Sequence, residues 1–232
     1  ATVRLLQARS YNFPLLEPGD DRLDPRVIAA FDPYDPYVGD IRSIRSELTG
    51  QWLNDPVDTQ HSIALLGADA SVDLGIVASN LGVAWAQLGW PTLLVDGDLE
   101  APSLHELFRV PNSFGLSTIV NNPSHSKSPL VTPIDNLHFL PAGPGIPNAF
   151  EALERRPLLT ALERHRRQYR LMIVTLSRIH ADHFGGLDSI FAGFEGVIIV
   201  VRRGVSSLRP LARLVNQLRR RNVPVFGTVI DH

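Results

Sequence analysis

The residues best placed to do chemistry lie in GADASVDLG, Gly67 to Gly75, and in VDGDL, Val95 to Leu99. The first stretch follows the apolar run Ile63 to Leu66. It precedes a pattern in which Val77, Leu81, Ala84, Trp85 and Leu88 recur at helical spacing before Gly89. The second stretch ends another apolar run, Thr92 to Val95. Strand, loop, helix and strand make a βαβ unit, and its first loop brings backbone amides and the positive end of a helix dipole to one spot, where such folds hold phosphate. Here that loop carries Asp69 and Asp73, and Asp96 and Asp98 are expected to project from the neighbouring strand end into the same mouth. A carboxylate about 5 Å from a phosphate charge costs about 3 kcal/mol at an effective dielectric near 20, so two of them outweigh much of a nucleotide's affinity. The chain's one lysine, Lys127, lies far along the sequence and leaves the loop without an ammonium. The expectation is that Asp73, with Ser71, caps the helix with the chain's own anion. Asp96 and Asp98 are the candidate ligands for a weakly held divalent cation.

Other polar clusters are less specific. His180 and His183 have His-x-x-His spacing, but the sequence names no third convergent zinc ligand, so they read as exposed loop residues. Arg42 and Arg45 sit three apart on YVGDIRSIRSELTGQWL, a helical pattern from Tyr37 whose apolar side is Val38, Ile41, Ile44, Leu48 and Leu53. The arginine-rich stretches ERRPLLTALERHRRQYR and RRRN read as solvated polar faces that could also meet anionic lipid or an acidic partner.

The elements that must position these residues alternate along the chain. Residues 1–36, rich in Pro and Asp, read as an extended N-terminal arm that adds little to the fold, and residues 37–232 as the folded domain. Beyond the βαβ unit come short helices at Glu100 to Arg109 and Gly115 to Val120, and a polar loop at Asn121 to Pro133. A strand at Leu137 to Leu140 and a helix opening near Asn148 follow, and that helix continues over Leu158 to Gln168. A strand at Leu171 to Leu176, a helix at Leu187 to Phe194 and a strand at Val197 to Val201 lead to a helix at Leu208 to Arg220 and a last strand at Val225 to Ile230. This alternation requires an α/β, doubly wound, mostly parallel sheet. The net charge of −2 gives no overall drive toward nucleic acid or anionic lipid, and the absence of cysteine excludes disulfides and cysteine metal sites. The longest apolar run, Val197 to Val201, is too short to span a bilayer, and the start ATVRLLQARS lacks a signal peptide's apolar stretch.

Six segments in register resemble the cytoplasmic ATPase domain of bacterial tyrosine kinases that regulate capsule and exopolysaccharide chain length, relatives of the deviant Walker, MinD/ParA-like P-loop ATPases. These are the Arg42–Arg45 helix, Asn80-Leu81, LLVDGDLEAPSLHELF, GLSTIV, LPAGPGIPNAFEAL, and VIIVVRRGVSS with VFGTVID. Set on this chain, the family's phosphate-loop lysine falls on Leu74 and its magnesium-binding Ser/Thr pair on Gly75 and Ile76. Its loop glycines fall on Ser71 and Asp73, and its Walker B aspartate on Thr175. The oligomerisation-motif glutamate is Gly39, beside Asp40, and the C-terminal tyrosine cluster is absent. His105 matches the family's motif histidine.

The resemblance and these departures together imply a degenerate, non-catalytic P-loop NTPase-like subunit that binds no nucleotide or other cofactor. It would regulate exopolysaccharide or capsule synthesis or export from the cytoplasmic side, at the inner face of the membrane through a polysaccharide co-polymerase partner. Arg42 and Arg45 would serve as the partner or homo-oligomer contact. The alternative is an active ATPase or tyrosine autokinase whose unorthodox loop uses ATP and magnesium with Asp96, Asp98 and an arginine. A dinucleotide enzyme is disfavoured because GADASVDLG lacks the required glycine spacing.

Overall fold

A computed structural model describes residues 13–54, 59–122, 127–176 and 186–231. Among them, seven strands form one sheet: β1 (His61–Gly67), β2 (Thr92–Asp96), β3 (Leu130–Val131), β4 (Leu137–Leu140), β5 (Leu171–Leu176), β6 (Gly196–Arg202) and β7 (Val225–Asp231). Their order is β3-β4-β2-β5-β1-β6-β7, and all pair in parallel except β3 with β4. The strands β1, β2 and β5 are buried along their whole length, which is why they read as continuous apolar runs rather than alternating ones.

The helices are α1 (Pro36–Gln51), α2 (Leu74–Ala86), α3 (Leu104–Leu107), α4 (Leu116–Asn121), α5 (Ala149–Arg155), α6 (Leu158–Ala161), α7 (Glu163–Arg166), α8 (Leu187–Ile190) and α9 (Leu208–Arg220). On one face of the sheet α1, α2 and α3 pack over Ile63, Leu65, Ile173 and Ile198. On the other, α4 to α9 cover Leu66, Val174 and Ile199. Two covered faces make the sheet doubly wound, as the alternating pattern requires. The pattern over Leu158 to Gln168 resolves into α6 and α7 on either side of Leu162, and that over Leu187 to Phe194 keeps a helix only to Ile190. The strand β3 lies inside the stretch read as loop and is held by only two residue pairs to β4.

The N-terminal segment departs most from expectation. Leu23, Val27, Ala29 and Ala30 are at most 1% exposed and belong to the α1–α2 core, around a short 3-10 turn at Ile28–Ala30. These four residues of the arm are therefore part of the core, while most of the arm's other described residues are exposed or half-buried. One side chain pins the segment there. Asn80, fully buried beside Ser79 in the middle of the mostly apolar α2, accepts from Ala29 N at 2.8 Å and donates to Arg26 O at 3.0 Å and to Ile76 O at 2.9 Å. Gln87 adds a donor to Ala29 O at 2.8 Å, and Asp24 N donates to Leu107 O at 2.8 Å.

An alanine at position 80 leaves Ala29 N without its partner in the dry core and Arg26 O without its partner at the half-buried edge, and an unpaired buried backbone group costs about 1–3 kcal/mol. The Asn80→Ala variant is therefore expected to lower unfolding stability by about 3 kcal/mol in urea titrations, with residues 24–30 losing amide-exchange protection first.

Candidate functional site

The carboxyl ends of four neighbouring strands open into one cleft of about 560 Å3. Gly67 ends β1, Asp96 ends β2, Thr175 and Leu176 end β5, and Arg202 ends β6, all along its floor and rim. Crevices outside the carboxyl ends of parallel strands are where open α/β sheets bind ligands. The site residues expected from the sequence come together here: Gly67, Asp69, Ser71, Asp73, Leu74, Gly75, Asp96, Asp98 and Thr175 all line it.

Each aspartate of the cleft spends oxygens on backbone amides of its own neighbourhood. Asp73 is the N-cap of α2, where Oδ1 accepts from Ile76 N at 3.3 Å, and its Oδ2 lies 3.6 Å from Arg26 Nη1. Ser71 takes no part in that cap. Its N and Oγ both donate to Asp69 Oδ1, closing a tight turn before the helix, because Asp69 stands two residues upstream where an Asx turn forms. Asp98 Oδ1 accepts from Glu100 N at 3.2 Å and Ala101 N at 2.9 Å. Asp96, wholly buried, accepts from Asp98 N and Leu104 N, each at 3.1 Å. Burial outweighs these donors and pushes its carboxyl up to about 7. Gly97 between the two aspartates lies flat on β5, with its N–H donating to Thr175 O at 2.9 Å, and a Cβ there would run into that oxygen.

The position matched to a phosphate-loop lysine holds Leu74, which packs against the core as well as lining the cleft. Above Gly75 sit Leu104 and Leu107 of α3, whose methyl carbons would lie 3.2 and 3.3 Å from an added Cβ. Thr175, 2% exposed, turns its hydroxyl to Val95 O at 3.4 Å. The described lining thus holds five carboxyl groups, with Glu100 the fifth, against the single guanidinium of Arg202. That arginine escaped the sequence reading. Its Nη1 donates to Ser71 O at 3.0 Å, tying the loop to β6, and the available signal was a charged pair directly after the apolar run of β6.

Two expected groupings differ. Arg42 Nη1 donates to Pro33 O at 2.6 Å and Arg45 Nη1 to Ala84 O at 2.8 Å, so both arginines fasten α1 to its own chain. Burial holds the Arg45 guanidinium below its usual range. Among the described residues no group of three acidic or histidine side chains is arranged to hold a metal ion. Asp96 and Asp98 do meet in the cleft, where both oxygens of Asp96 and Oδ1 of Asp98 accept from amides. His180 and His183 lie outside the described residues.

No protein-family model matches the chain. It is 32% identical over 114 residues to CapB of Staphylococcus aureus, a candidate tyrosine-protein kinase, covering 49% of this chain and 50% of that one. Over 210 residues it is 26% identical to the tyrosine-protein kinase Wzc of Salmonella typhimurium, covering 89% of this chain and 28% of Wzc. Its sequence is thus similar to those of bacterial tyrosine-protein kinases. The chain spans no more than about half the length of these two relatives. The kinase domain of the Escherichia coli tyrosine kinase ETK superposes with a TM-score of 0.78 at 22% identity, over 98% of this chain and 83% of that domain. The fold is shared with MinD-like P-loop ATPases as well. Among the described residues no helix is long and apolar enough to cross a membrane.

The raised Asp96 fixes a sign for pH dependence. A carboxyl whose folded pKa lies above its ordinary 3.8 contributes stability that is complete below about pH 4 and lost as pH rises through about 7. Unfolding free energy is expected to fall across that window, and a carboxyl resonance assigned to Asp96 by NMR is expected to titrate near pH 7. A midpoint near 4 would show the group to be solvated.

Proposed function

We propose that this chain is a non-catalytic member of the tyrosine-kinase fold that works by binding, as a regulatory subunit in capsule or exopolysaccharide synthesis or export. Its partner would be the cytoplasmic part of a membrane polysaccharide co-polymerase. The observation that carries this reading is the Asp73 carboxylate at the N-terminus of α2, accepting from Ile76 N where a bound phosphate would otherwise receive that helix end. Phosphoryl transfer needs positioned positive charge and a metal. The residues at the matching positions are Leu74, Gly75 and Thr175, and the cleft's charge is dominated by carboxylates. The reading assigns no cofactor. It also moves the expected partner contact away from the Nη1 groups of Arg42 and Arg45, which already bond within the chain. A partner would meet the outer side of α1 around Asp40, Ser43 and Glu47, all exposed.

A second reading, an active ATPase or tyrosine autokinase with an unorthodox phosphate loop, draws support from Arg202, a cation already on the cleft's rim. Calorimetric titration with Mg-ADP and Mg-ATP separates the two. The expected result is no heat of binding up to millimolar nucleotide. A micromolar isotherm would overturn the non-catalytic reading, and its loss in Arg202→Ala would assign that arginine to the phosphates. The Asp73→Ala variant is expected to lose about 1 kcal/mol of stability with its cap.

A further inference from the structure

From Gly196 to Asp231 the sequence carries seven arginines and a single acidic residue, Asp231 at its end, within a chain whose net charge is −2. These residues are β6, α9 and β7, at the end of the sheet opposite β3. At about 100° per residue, Arg209, Arg213, Arg219 and Arg220 all fall within the solvent arc of α9, which spans about 140° with Leu208 at its border. The other side of the helix buries Leu214 and Leu218. Elsewhere on the same face of the sheet, helix arginines are offset by glutamates one turn away, as in Arg155 with Glu151 on α5 and Arg167 with Glu163 at α7. On α9 no such acid exists, and no hydrogen bond or ion pair reaches the guanidinium groups of those four arginines from the described residues.

Aliphatic side chains stand out of the same edge. Leu208 is 78% exposed, Val205 60% and Ile230 59%. They are brought together by the chain path. Val205 lies in the turn that leaves β6, its N–H donating to Arg202 O; Leu208 opens α9; and Ile230 pairs with Val201 at the end of β7. A solvated polar face accounts for the arginines but leaves three bare aliphatic side chains beside them unexplained.

We propose that this edge docks on an anionic lipid bilayer, with the α9 arginines on headgroup phosphates and Leu208, Val205 and Ile230 in the interfacial layer. Guanidinium groups pair bidentately with phosphate oxygens, and aliphatic side chains flanked by cations gain from the headgroup boundary. A nucleic-acid backbone or an acidic polypeptide would engage the same charges and leave the aliphatic side chains in water, which is why the bilayer is favoured. The inference does not depend on whether the cleft binds nucleotide, and its test contains none.

The test is co-sedimentation of the full chain with vesicles of phosphatidylethanolamine containing one-third phosphatidylglycerol, against vesicles of phosphatidylcholine. Binding is expected to the anionic vesicles alone and to weaken as salt is raised. Each arginine near an anionic surface contributes about a fivefold factor, so R209E/R213E/R220E is expected to reduce partitioning at least on the order of a hundredfold, while R209K/R213K/R220K retains it. Leu208→Ser is expected to weaken binding about tenfold with the arginines intact. All these positions are exposed, so thermal midpoints should match the unaltered protein; if the triple reversal fails to fold, R209Q alone carries the test at about fivefold. The proposal is overturned by equal binding to neutral vesicles, by no binding to anionic ones, or by unchanged partitioning of the reversal variant. Tighter binding to duplex DNA or polyglutamate than to anionic vesicles overturns it as well.

Discussion

A helix that starts against the carboxyl end of a buried strand presents N–H groups that the helix itself cannot satisfy, and they demand an anion. In this fold α2 starts against β1 in that way, at the floor of the cleft. Asp73 meets part of the demand from within the chain, and Arg26 balances Asp73 from the N-terminal segment. Much of the surrounding architecture follows from this internal pairing. The loop before α2 can be acidic, because its carboxylates accept from amides and Asp73 lies near Arg26, while Arg202 of β6 holds the loop by the carbonyl of Ser71.

The same helix is where the N-terminal segment is secured. Asn80 lies on α2 two turns below Asp73, so the residues that hold the segment and the residue that caps the loop belong to one rigid rod. Displacing residues 24–30 would therefore disturb both the middle of α2 and, through Arg26, its first turn. The tyrosine-kinase homologues and the MinD-like neighbours share the scaffold. The binding role proposed above rests on the chemistry at one end of that scaffold in this chain.

The strands and the long helices were legible because burial on both faces of a parallel sheet leaves uninterrupted apolar runs, and α2 and α9 carry clear helical periodicity. Leu208 to Arg220 matches α9 residue for residue, and Leu137 to Leu140 matches β4. The convergence of Asp69, Asp73, Asp96 and Asp98 followed from the βαβ geometry, and so did the capping role of Asp73. Side-chain partners across long sequence separations left no periodic trace. The role of Ser71 depended on Asp69 competing for its hydroxyl, and the inward turn of Arg42 and Arg45 depended on carbonyls at Pro33 and Ala84. The core role of the N-terminal segment was hidden by its Pro- and Asp-rich composition. Asn80 was the available clue, since an asparagine on the buried side of an apolar helix must find partners, and it found them in main-chain atoms more than fifty residues upstream.

Gly75 sets how closely α3 approaches the start of α2. The Leu104 and Leu107 methyl carbons lie 3.2 and 3.3 Å from where a Cβ would stand, so a larger residue there requires those two side chains to give by a few tenths of an ångström. The glycine thus works as a spacer: the gap between the two helices, and with it the wall of the cleft that Leu104 lines, is set by the one residue that adds no side chain to it.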